Sequence, residues 1–245
     1  MSFSPRRRVQ LLSLALGVSV ALAMAPTAAQ ASIKNPTTKS VLKATQKAMS
    51  TVTGVHIYVL SKTGKDSSVV IVDIGATYGQ ETIVSGKEHV KITVTPTDAY
   101  LSGSPTGLTT IMQLTAAQAK KVGTRSVVMK SGTAPYTSFQ GNLTTGVLAS
   151  ILPAAKGTKF AVGGGAHSKD YQLTWKTAAT QTAPATKSVL TISSGSLILP
   201  VREVITGTSG GGTTTFSKWN ERVTEPSPPA ADTIPYASVI SSKAG

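Results

Sequence analysis

The chain of 245 residues contains no cysteine, only ten acidic residues and few aromatic side chains. The absence of cysteine excludes disulfide bonds and thiolate metal sites, and it leaves no residue that could carry the acyl chains of a bacterial lipoprotein. Aromatic residues make up 5% of the chain and do not alternate with the lysines, which argues against a surface that stacks nucleic-acid bases. So few acids also argue against a pair of catalytic carboxylates.

The first 31 residues have the layout of a secretory signal peptide. Three arginines at positions 6–8 precede an apolar run over residues 9–25, which is shorter than the ~20 residues that span a bilayer. Ala29-Gln30-Ala31 then forms a small-x-small cleavage site. We therefore expect a mature chain that begins at Ser32 and is secreted to the extracellular or cell-envelope space without a lipid anchor.

Basic residues outnumber acidic ones by 24 to 10, which gives the full chain a formal charge of +14. A charge of this size favours anionic partners. For a secreted protein these are an anionic membrane surface or wall polymers rather than nucleic acid. The lysines are dispersed along the chain, so the simpler interpretation is a soluble, mildly basic surface.

The spacing of apolar residues changes once along the mature chain. After Asn35 and Pro36, apolar residues recur at helical spacing, which predicts an amphipathic helix of about 15 residues, capped by Asn35 and ending near Gly54. A capping box of Thr115 and Gln118 predicts a short middle helix, and residues 144–152 predict another. Period-two runs predict strands at residues 55–60, 69–74, 90–94, 99–101, 126–129, 160–162, 171–175, 189–192, 199–205 and 214–219.

This order predicts an α+β fold. A strongly curved antiparallel sheet of about 10–11 strands, a half-barrel, would wrap around the N-terminal amphipathic helix and one or two short middle helices. Such a sheet keeps one face wet and must cover the other. Incomplete cover would leave an apolar cavity. We place this domain at residues 32–229 and a C-terminal tail at residues 230–245.

Catalytic motifs occur only in unsuitable contexts. Residues 207–211 match G-x-S-x-G, but they lie between two predicted strands and no histidine follows His167. Residues 40–43 match S-x-x-K and residues 62–64 match K-T-G, yet penicillin-binding enzymes place these motifs much further apart. The three histidines are scattered, and we expect His56 and His89 on the polar faces of their strands. The sequence thus predicts no catalytic residue, metal or cofactor.

Several short segments together resemble one family. They are the first helix and its hairpin strands, Asp98-Ala99-Tyr100-Leu101, the helix at residues 115–122, and residues 216–221 followed by prolines. Over residues 37–229 this order is similar to the actinobacterial LppX/LprG-type envelope proteins, and more widely to the LolA/LolB-like half-barrels. The resemblance implies a half-barrel that binds lipids, acylated glycolipids or lipoprotein acyl chains between its sheet and helices. Other proteins of this shape are sensor modules, and no catalytic residue is implied.

The missing cysteine separates this chain from the lipid-anchored members of that family. We therefore predict a secreted, monomeric, non-enzymatic protein that binds an apolar or acylated ligand. The alternative is an envelope interaction or sensor module with the same fold and no cavity. Ten inward-facing residues would line a cavity, although plain core packing would also explain each of them: Leu42, Met49, Ile57, Val59, Val70, Val72, Ile92, Val94, Val147 and Ile151.

Overall fold

The computed structural model describes residues 33–163, 169–180 and 184–241. The predicted signal peptide, its cleavage site and His167 lie outside the described residues. The described residues form twelve strands in one sheet and several short helical segments.

Twelve strands of the described part of the chain form a single sheet. In chain order they are β1 (Gly54–Thr63), β2 (Asp66–Gly75), β3 (Gly79–Ser85), β4 (Glu88–Val94), β5 (Asp98–Gly103), β6 (Ser126–Lys130), β7 (Lys159–Val162), β8 (Tyr171–Thr177), β9 (Thr186–Ile192), β10 (Pro200–Gly207), β11 (Gly210–Ser217) and β12 (Thr233–Pro235). Their order across the sheet is β12-β6-β5-β4-β3-β2-β1-β11-β10-β9-β8-β7. The sheet is curved and unclosed, and mostly antiparallel, which confirms the predicted α+β half-barrel fold.

Two of the twelve strands, β3 and β12, are not among the predicted ones. The strand β3 lacks the period-two apolar pattern, because Gly79 and Glu81 occupy positions where an inward-facing apolar residue is expected. The short strand β12 pairs in parallel with β6 at one edge of the sheet. The remaining strands agree with the predicted runs to within a few residues. Tight turns at Gly64 and Gly86, both with positive φ, join β1 to β2 and β3 to β4.

The first helix, α1, spans Thr38–Met49, so the predicted cap at Asn35 is wrong. Thr37 is the cap: its hydroxyl accepts a hydrogen bond from the Ser40 amide at 3.2 Å, and the Ser40 hydroxyl accepts one from the Thr37 amide at 2.8 Å. Asn35 instead adopts a left-handed backbone conformation with φ of 53°. The predicted apolar stripe is present, because Val41, Thr45 and Met49 are all buried.

Four helical segments lie in the middle of the chain, where the sequence predicts two. They are α2 (Pro105–Met112), α3 (Ala116–Val122), α4 (Ala134–Leu143) and a 3₁₀ segment (Thr145–Ile151). The predicted capping box of Thr115 opens α3. The helix predicted at residues 144–152 is the 3₁₀ segment rather than an α-helix. Helices α2 and α4 contain glycine and several β-branched or hydroxyl side chains, whose low helix propensity hides them in the sequence.

The C-terminal residues that the structure describes pack against the sheet edge. A 3₁₀ turn at Ala230–Asp232 leads into β12, and the short helix α5 (Tyr236–Ile240) follows it. Ile234 of β12 and Val239 of α5 belong to the hydrophobic core, and Val239 has no exposed surface. Among the described helices, none combines the length and the apolar character needed to cross a membrane.

Candidate functional site

The six sheet residues predicted to line a cavity share one face of the sheet. Ile57 of β1 is paired with Val72 of β2, and the same row continues through β3 to Ile92 of β4. Side chains that are paired directly across strands lie on the same face, and residues two apart on one strand do so as well. Val59, Val70 and Val94 therefore face the same side as this row. We call this side the inner face.

The four helix residues of the predicted set lie opposite this face. Leu42 and Met49 belong to α1, and Val147 and Ile151 belong to the 3₁₀ segment, which contacts α1. All ten predicted residues join one hydrophobic cluster, in which Val59, Val70, Val147 and Ile151 are only partly buried. The structure thus brings the predicted residues together, and their contact with a ligand stays a prediction.

Short helices cover the inner face. Helix α4 lies against β2 to β6, and α2 lies against β4 and β5. At the end of α4 the backbone approaches the sheet closely, because a Cβ added at Gly79 would lie 2.0 Å from the Leu143 carbonyl oxygen. Helix α3 packs on α2. We refer to α1–α4 and the 3₁₀ segment together as the helical lid.

A carboxyl group, that of Glu81, interrupts the apolar inner face. Glu81 sits in register between Val72 and Ile92, and only 6% of its surface is exposed. Its Oε1 atom has no hydrogen-bond partner among the described residues. Burial disfavours the charged form and raises the pKa of Glu81 to about 7. Glu81 was not predicted as a site residue, although an acid in the alternating run Gly79, Glu81, Ile83 is a usable signal.

A second carboxyl group lies on the other half of the inner face. Glu203 of β10 is paired with Thr214 of β11 and Leu190 of β9. Burial raises the pKa of Glu203 above its ordinary range, and a hydrogen bond with Ser188 offsets part of this effect. The inner face therefore carries an acidic group on each side of β1, within a largely apolar surface.

A groove runs along the flank of α1 beside the 3₁₀ segment. Its volume is about 420 Å³. The apolar side chains of Leu42, Leu152 and Pro153 form part of its wall, and Lys39 and Lys43 stand one helical turn apart on its rim. Leu42 also belongs to the hydrophobic core. This groove, which we call the α1 groove, therefore adjoins the inner layer at Leu42.

The helical lid carries positive charge without any negative charge. The sequence has no acidic residue before Asp66 and none from residue 99 to residue 169, so α1–α4 and the 3₁₀ segment contain none. The lid's lysines are Lys39, Lys43, Lys47, Lys120 and Lys121. This asymmetry was not predicted, although the positions of the acids in the sequence reveal it. The lid therefore contributes five positive charges that no acid of its own offsets.

A second cleft, of about 440 Å³, lies on the opposite, outer side of the sheet. Thr93 and Tyr100 contribute to its floor, and residues 226–229 form a proline-rich wall. This segment crosses the outer face and leads to β12 beside β6. The cleft is thus formed between the sheet and the chain that returns to its edge, and it includes none of the ten predicted residues.

The structure places the catalytic-looking motifs in structural roles. Residues 207–211 span the end of β10, its turn and the start of β11, and residues 62–64 span the end of β1 and the start of its turn to β2. Ser40 takes part in the cap of α1. Across residues 33–163, 169–180 and 184–241 no three histidine or acidic side chains lie close enough together to hold a metal ion. His56 lies on the outer face, half-buried, with its Nδ1 2.7 Å from Asp73 Oδ1.

Comparisons with known proteins give matches among solved structures. No protein-family model matches the sequence, and no curated protein does. The lipoprotein LppX of Mycobacterium tuberculosis is 15% identical, with 78% of this chain and 99% of that one covered and a TM-score of 0.48. LprF of Mycobacterium bovis is 16% identical, with 78% and 96% covered and a TM-score of 0.45. A DUF1329 family protein of Desulfovibrio piger is 10% identical, with 77% and 95% covered and a TM-score of 0.30.

The chain is an α+β half-barrel, and LppX and LprF, of the type predicted from the sequence, are among the solved structures that it resembles.

Proposed function

We propose that the mature chain is a secreted, non-enzymatic protein that binds an apolar or acylated ligand between its sheet and its helical lid. The ligand would be a lipid, a glycolipid or the acyl chain of a lipoprotein. The protein would act as a monomer that begins at Ser32 and diffuses without a lipid anchor. Its basic surface would favour an anionic membrane or wall polymers as the place where it meets that ligand.

The observation that carries this proposal is the inner face itself. An unclosed sheet presents a largely apolar surface, and its cover consists of short helices rather than a second sheet. A ligand that enters this layer must move the helices away from the sheet, and the apolar surface that they bury sets the cost of that opening. Each methylene of an acyl chain that enters the layer contributes about 0.8 kcal/mol, so a chain of ordinary length would outweigh a modest opening cost.

The position of the α1 groove supports the same proposal. Its volume of about 420 Å³ falls within the range of about 300–1,000 Å³ that is typical of small-molecule sites. Leu42 forms part of both the groove and the core. A chain bound in the groove would therefore contact the edge of the inner layer at Leu42.

The alternative is an interaction or sensor module with the same fold and a solid core. The burial of the inner residues favours it: Val94, Leu173 and Ile192 have no exposed surface. In that case the ten predicted residues would serve packing alone, and function would rest on the charged surface.

Lipid retention distinguishes the two proposals. Delipidated mature protein is incubated with an envelope lipid extract, separated by gel filtration and examined by native mass spectrometry. We expect a retained acylated molecule, in a ratio of one per protein. Absence of retained lipid under all conditions would contradict lipid binding and leave the alternative.

A matched pair of double variants tests the location of the ligand. Val59→Phe with Val70→Phe enlarges a cross-strand pair on the inner face, where both side chains are partly buried. Leu60→Phe with Val69→Phe enlarges the neighbouring pair, which points to the outer face. Lipid retention should fall in the first variant and persist in the second, while circular dichroism and thermal melting show that both are folded.

A further inference from the structure

We propose that the α1 groove selects a single-chain amphiphile with an anionic headgroup, and that Lys39 and Lys43 hold this headgroup. The inference rests on the proposed function and names the class of ligand and the residues that recognise it. The headgroup is a carboxylate or a phosphate, since both accept charge-assisted hydrogen bonds from lysine. The acyl chain lies against Leu42 and Leu152.

The geometry of the groove matches such a molecule. Apolar side chains line one part of it, and the two exposed lysines stand on its rim, one turn apart on the same side of α1. An amphiphile has the same division, with an apolar chain and a charged end. The volume of about 420 Å³ suits one chain rather than a second protein or a polymer.

The lysines of α1 destabilise the helix that carries them. Lys39 lies in the first turn, where the positive end of the helix dipole disfavours a cation. Lys39, Lys43 and Lys47 follow one another at intervals of four residues, and like charges at this spacing repel. An anionic ligand between Lys39 and Lys43 relieves both effects.

The surroundings supply no competing anion. The helical lid contains no acidic residue. Within the described part of the chain, Asp73 is paired with His56, Asp98 with Lys130 and Glu221 with Lys218, and neither groove lysine takes part in these ion pairs. The positive field at the groove is therefore available to an external anion.

The test compares two lysolipids with the same acyl chain. Lysophosphatidylglycerol is anionic and lysophosphatidylcholine is zwitterionic, and both are titrated into delipidated protein by calorimetry below their micelle-forming concentrations. Two exposed cations in contact with the headgroup should favour the anionic lipid by about tenfold. Lys39→Gln with Lys43→Gln should remove this preference.

A matched control separates the groove from general charge. Lys47→Gln with Lys120→Gln removes the same charge from exposed lid positions outside the groove and should keep the preference. Because neutral residues relieve the repulsion along α1, Lys39→Gln with Lys43→Gln should also melt no lower than wild type, which excludes misfolding as the cause. Ala149→Trp fills the groove from an exposed wall position and should weaken both lipids.

The outcomes distinguish this inference from the proposed function. Equal affinity for the two lipids, or equal loss of preference in both lysine variants, would overturn headgroup selection at the groove while lipid binding stands. Unchanged binding in Ala149→Trp would place the ligand elsewhere and overturn the inference as well. Failure of every acylated probe to bind would overturn both the inference and the proposed function.

Discussion

At the scale of single residues, Glu81 is a charge-bearing group in a place that disfavours charge. Its pKa is about 7 in the folded chain, against an ordinary value of 4.5. The folded state therefore holds its proton more tightly than the unfolded state does. This contribution to stability is complete below pH 4.5 and is lost as the pH rises through about 7.

Replacing Glu81 should remove that loss. From the shift in pKa, wild type should lose about 3 kcal/mol of unfolding free energy between pH 4.5 and pH 8 through this group. Glu81→Gln should lack this decline in urea titrations at pH 4.5, 6 and 8. Asp66→Asn, at the exposed first position of β2, should keep the wild-type profile. A decline of the same size in Glu81→Gln would show that the buried carboxyl is not its source.

Gly79 is a second residue whose identity follows from a single contact. A Cβ at this position would lie 2.0 Å from the Leu143 carbonyl oxygen and 2.8 Å from Leu143 Cβ. Gly79→Ala must therefore push α4 away from β3, and we expect a loss of about 1–3 kcal/mol in chemical denaturation. Gly141→Ala on α4 meets nothing within 4 Å and should gain up to about 1 kcal/mol. Equal stability of the two variants would mean that α4 does not pack closely on β3.

The sequence predicts apolar residues of the inner face but not the buried carboxyl group among them. Alternation of apolar residues identifies Ile57, Val72 and Ile92, because a half-buried strand must place them on one side. Glu81 breaks that alternation, so the rule that finds its neighbours passes over it. The α1 groove depends on where the 3₁₀ segment packs, which no local pattern specifies.

At the scale of elements, strands are more predictable here than helices. Most strands follow from period-two runs, whereas α2 and α4 were not predicted. Pro105 and Ser104 offer a helix start, with Ser104 Oγ accepting from the Gly107 amide at 3.1 Å, but the residues that follow have low helix propensity. Such helices are stabilised by packing against the sheet. Their positions depend on tertiary contacts, which the neighbouring sequence does not reveal.

The C-terminal elements provide a test at this scale. Val239 of α5 is fully buried, whereas 47% of Ile240 beside it is exposed. Val239→Ala should lower the unfolding free energy by about 2 kcal/mol, and Ile240→Ala should change it by less than about 0.5 kcal/mol. Thermal and urea denaturation measure both. Equal effects would mean that residues 230–241 behave as a tail that does not contribute to the domain.

At the scale of the whole molecule, the sheet order could not be predicted from local patterns. Strand β1 lies beside β11, so the sheet joins the two ends of the described chain, with Ile57 opposite Phe216. Contacts between residues this far apart in sequence follow from the closure of long loops rather than from any motif. The two edge strands, β7 and β12, have four and three residues, and such short edges limit pairing between molecules.

The central claim is that an acyl chain enters the layer between the sheet and the lid, and the two tryptophans report on that layer. Trp175 lies on the inner face in register with Ser188, and Trp219 stacks on Phe216 with ring centroids 6.2 Å apart. Both pack against the hydrophobic core. They are the only tryptophans of the chain, so quenching of its tryptophan emission reports a chain that reaches this layer.

The most direct measurement is a titration with a lysolipid that carries bromine on its acyl chain, a contact quencher of tryptophan emission. The account predicts quenching that saturates at one lipid per protein, with an unbrominated lipid of the same chain length producing none. Trp219→Phe, which leaves Trp175 alone, should still be quenched. Binding detected by calorimetry without any quenching, or the absence of binding, would contradict the account.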